Sequence, residues 1–282
     1  MCGRYAASAH PDDLVEEFEV DEDRTDERTR SVLVTPQDPP VGAPDHNMAP
    51  SKQAPVVLTR APRIPAEGCA EPLPPRRQLR FLTWGLVPSW ARDPKIGMRM
   101  INARAEELLD KRAFAKAALA RRCLVPAEGW YEWQASPTAT DRRGTPRKQP
   151  FLVRRADGRS LAMAGLYEFW RDRSLPPDHP DAWVASYSVI TTAAEPGLDR
   201  LHERQPLVLE PEHWQQWLDP ATTDRDTVAK LLQFEEPGRF DAWPVSPAVG
   251  SVRNNGPELV RPLGRDQLVG VVDPMTGEII GG

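Results

Sequence analysis

Cys123-Leu124-Val125-Pro126-Ala127-Glu128-Gly129-Trp130-Tyr131-Glu132-Trp133 is the densest apolar stretch of the chain. It reads as β-strand interrupted at Pro126 and Gly129, residue types that weaken or kink a ladder. Side chains alternate along a strand, so Trp130 and Glu132 share one face and Tyr131 and Trp133 the other. A carboxylate among aromatics is costly unless it is paired or functional. Burial would raise its pKa toward the range of a general acid. The alternative is an edge-strand Glu132 that points at water.

Working outward, further strands are expected at 150–155, 161–170 and 183–192, and upstream at 54–59. Another runs from Leu79 to Trp84, after which Gly85 and Pro88 bend the chain between Trp84 and Trp90. Either indole can belong to the core, and an aromatic near a bend can also form a stacking platform for a base. Helices are expected after His10-Pro11-Asp12-Asp13, at 211–218 with Pro211 near the start, and at 226–234. One more is expected from near Asn102, a favoured N-cap type with Glu106 in the first turn, continuing through Leu108, Phe114 and Leu119. The segments 21–45, 60–78 and 135–149 read as loop insertions. Strands resume after them, so they do not read as domain linkers. No internal repeat is visible.

A chain of 282 residues suits one large domain or two small ones, and can bury a substantial core. Hydrophobic content of 40% and charged content of 27% are ordinary for a globular protein. No long apolar run predicts a membrane span, and no basic-then-apolar start predicts a secretion signal. Cys2, Cys69 and Cys123 lie far apart without a C-x-x-C spacing, which suggests neither a zinc site nor a disulfide framework. His10, His46, His179 and His213 show no metal spacing, and no cofactor is expected. A reduced, cytoplasmic setting fits. The net charge of −5, taken alone, counts against nucleic acid. The charge is uneven, however. Residues 11–30 are mostly acidic and 92–122 basic on balance, and the local field matters more than the total for a polyanion.

The N-terminus, Met1-Cys2-Gly3-Arg4-Tyr5, is a chemical opportunity. Methionine is removed when the next residue is small, which would leave Cys2 with a free α-amine beside its thiol. The amine titrates near about 7.7–8.0 and the thiol near about 8.5 in unperturbed peptides. An aldehyde would form an imine with the amine, and the thiolate would then close a five-membered thiazolidine. Gly3 lets a ligand approach the backbone closely, and Arg4 supplies a planar cation suited to phosphate or carboxylate. The plain alternative is an incidental early cysteine. His202, polar and ahead of an apolar strand, would more often be structural than catalytic.

Six motifs in order carry a resemblance: Met-Cys-Gly-Arg-Tyr at 1–5, Asn-Met-Ala-Pro at 47–50, Trp-Gly-Leu-Val-Pro-Ser-Trp at 84–90, Ile-Asn-Ala-Arg-Ala-Glu at 101–106, Gly-Trp-Tyr-Glu-Trp at 129–133 and His-Glu-Arg-Gln-Pro at 202–206. The chain resembles the SOS response-associated peptidase (SRAP) family over residues 1 to about 250. The resemblance implies one α+β domain, 1–282, with a core at about 2–250. It implies a mixed, mainly antiparallel, barrel-like sheet with peripheral helices.

It also implies covalent trapping of abasic sites in single-stranded DNA, or at single-strand/double-strand junctions, by a monomer. The setting would be the bacterial cytoplasm, on the nucleoid when DNA is bound. Cys2 would form the thiazolidine, Asn102 would position it, and Glu132 and His202 would move protons. Arg4, Pro50, Trp84, Trp90, Arg104 and Arg204 would contact DNA, with Trp84 as a base-stacking wedge. No metal or cofactor is implied. Gln205 stands where the family usually has Met, and the three loops are long. Two other functions stay open: an N-terminal cysteine peptidase that removes Met1, with hydrolase or lyase chemistry, and a non-covalent reader of modified bases for which Cys2 is dispensable.

Overall fold

The computed structural model describes residues 2–27, 29–60, 74–233 and 238–280. The first part of the chain runs β1 (Tyr5–Ala7), α1 (Pro11–Glu17), β2 (Glu22–Asp23), β3 (Asp45–Met48), β4 (Gln53–Arg60), β5 (Arg76–Trp84) and β6 (Asn102–Arg104). The middle holds α2 (Ala115–Ala120), β7 (Arg122–Ala127), β8 (Gly129–Thr140), β9 (Pro146–Arg155), β10 (Leu161–Arg171) and β11 (Trp183–Ala193). The last part holds β12 (Arg204–Pro206), α3 (Pro211–Leu218), α4 (Arg225–Leu231), β13 (Phe240–Pro244), β14 (Val271–Val272) and β15 (Ile279–Ile280).

Five strands close on themselves in the order β5-β4-β7-β10-β11 and back to β5. Strand direction cannot alternate all the way around an odd ring, so one junction has to be parallel. Here it is β5–β11, made by Ser186↔Thr83 and Tyr187↔Trp84; the other four junctions are antiparallel. The result is a closed, mixed, five-stranded barrel, as the resemblance implied. Closure removes edges, and alternation gives each barrel strand two apolar faces. Val56, Leu58, Cys123, Val125 and Val189 belong to the inner core. Their neighbours Val57, Leu124 and Ile190 belong to an outer cluster with residues of α1, α2, α3 and α4, including Leu14, Ala118, Trp217 and Leu231.

A second, open sheet runs β13-β9-β8-β1-β3, antiparallel throughout. One face, with Tyr5, Trp130, Phe151 and Val153, joins the inner core. The other, with Ala6, Tyr131 and Leu152, packs against Val245, Val249 and Leu259. The interruption at 126–129 therefore separates two strands that serve two different sheets.

Several sequence expectations change. Asn102 does not cap a helix: it opens β6, which pairs in parallel with β11 through Val189↔Asn102; a single 3-10 turn follows at Ala105–Glu107, and the α-helix forms only at Ala115. The segment 135–149 is not a loop but most of a β-hairpin with its turn at 141–145. Of the 60–78 insertion, residues 61–73 and Cys69 lie outside the described residues, and β5 begins at Arg76. Phe234, the expected end of the last helix, also lies outside them.

Candidate functional site

Cys2 sits just ahead of β1, fully buried against the inner core. The reason is the register of β1. Tyr5 and Ala6 pair with Trp130 and Gly129 on β8, while Tyr5 pairs with Met48 on β3. A strand held on both sides fixes the residues that lead into it. The amide Nδ2 of Asn102 donates to the carbonyl oxygen of Cys2 at 2.7 Å. The Oδ1 of Asn102 is buried with no partner among the described residues.

Asn102 is carried there by β6. The turn at Gly85 makes room for the segment that leads into it. Gly85 has φ +126, and a Cβ on it would lie 2.6 Å from the Gly97 carbonyl oxygen, so only glycine fits without a shift. The indole of Trp84 then donates to the Ile101 carbonyl at 2.9 Å, and the Val189 N–H donates to the same oxygen at 3.0 Å. Below this lies a buried aromatic layer. The Tyr5 and Tyr187 hydroxyls are 2.6 Å apart, and Trp84 packs edge-on to Tyr5 and parallel to Tyr187.

Glu132 is 6% exposed, on the face of β8 that carries Trp130. The water-facing alternative is excluded. Burial pushes its carboxyl up to about 7. The Cys2 thiol is pushed far above the thiol range, first by burial and then by the charge of the neighbouring Glu132. His202 lies in the turn before β12. Its Nδ1 accepts the Arg204 backbone N–H at 2.9 Å, which leaves Nε2 to carry the proton in the neutral ring. Burial holds its pKa below the ordinary value.

The expected DNA contacts divide. Arg4 donates through Nη1 to Asn47 Oδ1 at 2.6 Å and to the Val249 carbonyl at 2.9 Å. Burial lowers its pKa. Both of these acceptors are neutral; the carboxylate whose charge acts on Arg4, Asp45, is itself paired with Lys52. Arg104 is exposed at the end of β6, and Pro50 is half-buried between β3 and β4. Trp84 corrects the expectation of a stacking wedge: it is 0% exposed, its N–H is used, and it belongs to the core. Trp90, beyond the bend, is 48% exposed, with the Arg112 guanidinium 5.0 Å from its ring centre.

Arg204 is paired, where Arg104 is exposed. Its two terminal nitrogens reach Glu106 Oε1 and Oε2 at 2.7 and 2.8 Å, and its side chain is 11% exposed. This fork-to-fork pair neutralises the guanidinium and ties the turn after β6 to β12. The hydrogen bonds from Arg204 hold the Glu106 carboxyl below its ordinary range. Sequence reading missed Glu106 as that partner and took it as a first-turn helix residue. Its place in the motif at 101–106 was the available signal.

Among the described residues, no group of three or more His, Cys, Asp or Glu could hold a metal ion, and no helix is long and apolar enough to cross a membrane.

A closed mixed barrel that sets the Asn102 amide against the Cys2 carbonyl, beside an open sheet that buries Glu132, defines a recognisable class. The family model described as SOS response associated peptidase (SRAP) matches residues 1–252, and the chain belongs to that family. It is 34% identical over 262 residues to the abasic site processing protein YoqW of Bacillus subtilis (strain 168), covering 92% of this chain and 99% of that one. It is 31% identical to the abasic site processing protein HMCES of Pongo abelii, covering 93% and 76%. It is 29% identical to YedK of Escherichia coli (strain K12), also named an abasic site processing protein, covering 93% and 100%. Among solved structures, a Bacteroides thetaiotaomicron protein superposes with a TM-score of 0.68 at 21% identity, over 93% of this chain and all of the other, a likeness of fold.

Proposed function

We propose that this protein senses abasic sites in single-stranded DNA and traps them covalently, through a thiazolidine formed on Cys2 once Met1 has been removed. The observation that carries the reading is the convergence at Cys2. Asn102 holds its carbonyl, and the charge of a buried carboxyl with a pKa of about 7 is felt at its thiol. The names of the relatives support the substrate.

The ring-opened abasic sugar offers an aldehyde. The α-amine of Cys2 adds to it to give a carbinolamine, whose hydroxyl leaves as water when Glu132 supplies a proton. The resulting carboxylate takes the thiol proton as Sγ adds to the imine carbon, which closes the ring. One water is lost, and the acid returns to its starting state. A group with a pKa near the working pH can do both halves. His202 assists the ring opening of the sugar. Arg4 and Arg104 meet phosphates, and Trp90 takes the stacking role.

A second reading, hydrolysis of the Met1–Cys2 bond by the same cluster, is favoured by Cys2 standing second in the chain. It would prepare the first activity. Intact mass of the purified protein, before and after mixing with abasic single-stranded DNA and then denaturing, tests the proposal. The expected species is protein without Met1, converted to protein plus DNA less one water. Cys2→Ala should give no denaturant-resistant adduct while binding DNA nearly as well. Active protein that retains Met1, or a full adduct on Cys2→Ala, sinks the mechanism.

A further inference from the structure

The β8–β9 hairpin does not stop at the core. Residues 141–148, Asp-Arg-Arg-Gly-Thr-Pro-Arg-Lys, are all exposed. The one acid there is taken up by the turn. Asp141 accepts the N–H groups of Arg143 and Thr145 at 2.8 and 3.1 Å and the Thr145 hydroxyl at 2.6 Å. Arg142, Arg143, Arg147 and Lys148 make no ion pair with any described residue. Elsewhere Arg24, Arg30, Arg80, Arg121, Arg155 and Arg225 each have a carboxylate. A chain of net charge −5 thus places four cations against one acid on one projection.

The projection is braced. Gln134 exchanges two bonds with the Val272 backbone at 2.9 and 2.8 Å, and the Ser136 hydroxyl donates to the Gly270 carbonyl at 2.6 Å. Gly270, at φ +60, lies so close that a Cβ would meet the Ser136 and Thr138 hydroxyls at 2.5 Å. Val271 and Leu268 are buried in the inner core. This bracing segment lies beyond the residues that match the family model.

We propose that the β8–β9 arm is a second nucleic-acid surface, which grips backbone phosphates away from Cys2. The proposal rests on the DNA reading above. Guanidinium groups match phosphate geometry, and residues 135–149 contain no aromatic to stack on a base, so the contact is to the backbone and independent of sequence. On the facing side of the hairpin the partners of Glu132 and Asp141, Phe151 and Thr145, are six residues apart, which spans about 20 Å at roughly 3.3 Å per residue. That span corresponds to roughly six base pairs at about 3.4 Å each.

The test compares wild type with R142Q/R143Q/R147Q/K148Q on DNA without an abasic site, as a single strand and as a junction with duplex on either side. Salt titration gives the slope of log affinity against log salt. Each lost phosphate contact should reduce it by about 0.7 on a single strand and about 0.9 on duplex. The substrate on which the slope falls more identifies which part of the DNA the arm holds. Trimming DNA on the arm's side below about six base pairs should weaken wild type and leave the variant unmoved. Melting temperature and the adduct rate at saturating abasic DNA should match wild type.

Unchanged slopes on every substrate overturn the proposal, including in favour of an acidic protein partner. So does a fall in the saturating adduct rate with unchanged slopes. Wild type that binds DNA without forming an adduct defeats only the covalent reading, and the slopes still decide the arm.

Discussion

In the barrel, successive residues go to two dry cores: Val56 and Leu58 inward with Val57 outward, Cys123 and Val125 inward with Leu124 outward. In the open sheet, β8 follows the same alternation at Trp130 and Tyr131, then places Glu132 where an apolar side chain would sit, and finally runs out to solvent. The ring has every strand paired on both sides along its closure. The open sheet ends at β3 and β13, and it receives the start of the chain. The difference teaches where a fold can carry chemistry. A closed ring provides a wall paired on both sides, and its neighbour tolerates a buried acid beside the Cys2 thiol, at a cost in stability.

The largest expected effect tests the chemical side. Glu132→Gln and His202→Ala should each slow single-turnover adduct formation, and release of the linked DNA, by up to about 10²–10⁴-fold, the range of general acid–base catalysis. Wild-type rates for Glu132→Gln across pH would make that residue structural and erase the contrast between the sheets.

Trp84→Ala attacks the wall instead. It removes a fully buried indole and its hydrogen bond to Ile101, and should cost about 3–5 kcal/mol in denaturant unfolding. A variant with unchanged stability and lost DNA binding would restore Trp84 to the DNA surface.

Glu132→Gln also sharpens the comparison through stability. The folded carboxyl holds its proton up to about pH 7, against 4.5 for the free group. Between those values the unfolded chain ionises first, so wild type loses stability as pH rises and reaches its full cost above about 7. The glutamine variant escapes this. It should match wild type below about pH 4 and exceed it at pH 8–9 by up to about 3 kcal/mol, at about 1.4 kcal/mol per pKa unit. Parallel stability curves would show that Glu132 is not buried as a neutral acid.

The smallest effect concerns Arg104, which is exposed where Arg204 is paired. Arg104→Ala should lower the salt slope for single-stranded DNA by about 0.7. Arg204→Ala should leave the slope nearly alone and loosen the link between β6 and β12, seen as a lower melting temperature. The reverse pattern would exchange their roles.

The strands at 54–59, 79–84, 123–133, 150–155, 161–170 and 183–192 were legible because alternation and turn residues are local signals, and α1 and α3 because proline marks a helix start. Asn102 was misread for the same reason. Its N-cap preference is local, whereas its parallel pairing with Val189 is made across the chain and overrides it. Likewise Trp84 and Trp90 are equivalent in the sequence. Only the ring closure at Tyr187 buries the first and leaves the second in the open.

By itself, then, the sequence determined which side chains are available: a cysteine that can become the N-terminus, an acid set among aromatics, and strands with two apolar faces. The tertiary structure decided which of these meet. Cys2 and Asn102 are one hundred residues apart, and no local propensity reaches that far. The parallel junction of the five-stranded ring, the pairing of β6 beside it and the register of β1 on β8 bring them within hydrogen-bond distance. Desolvation by the surrounding core then raises the Glu132 pKa, because burial penalises the charged form more than the nearby N-terminal amine favours it.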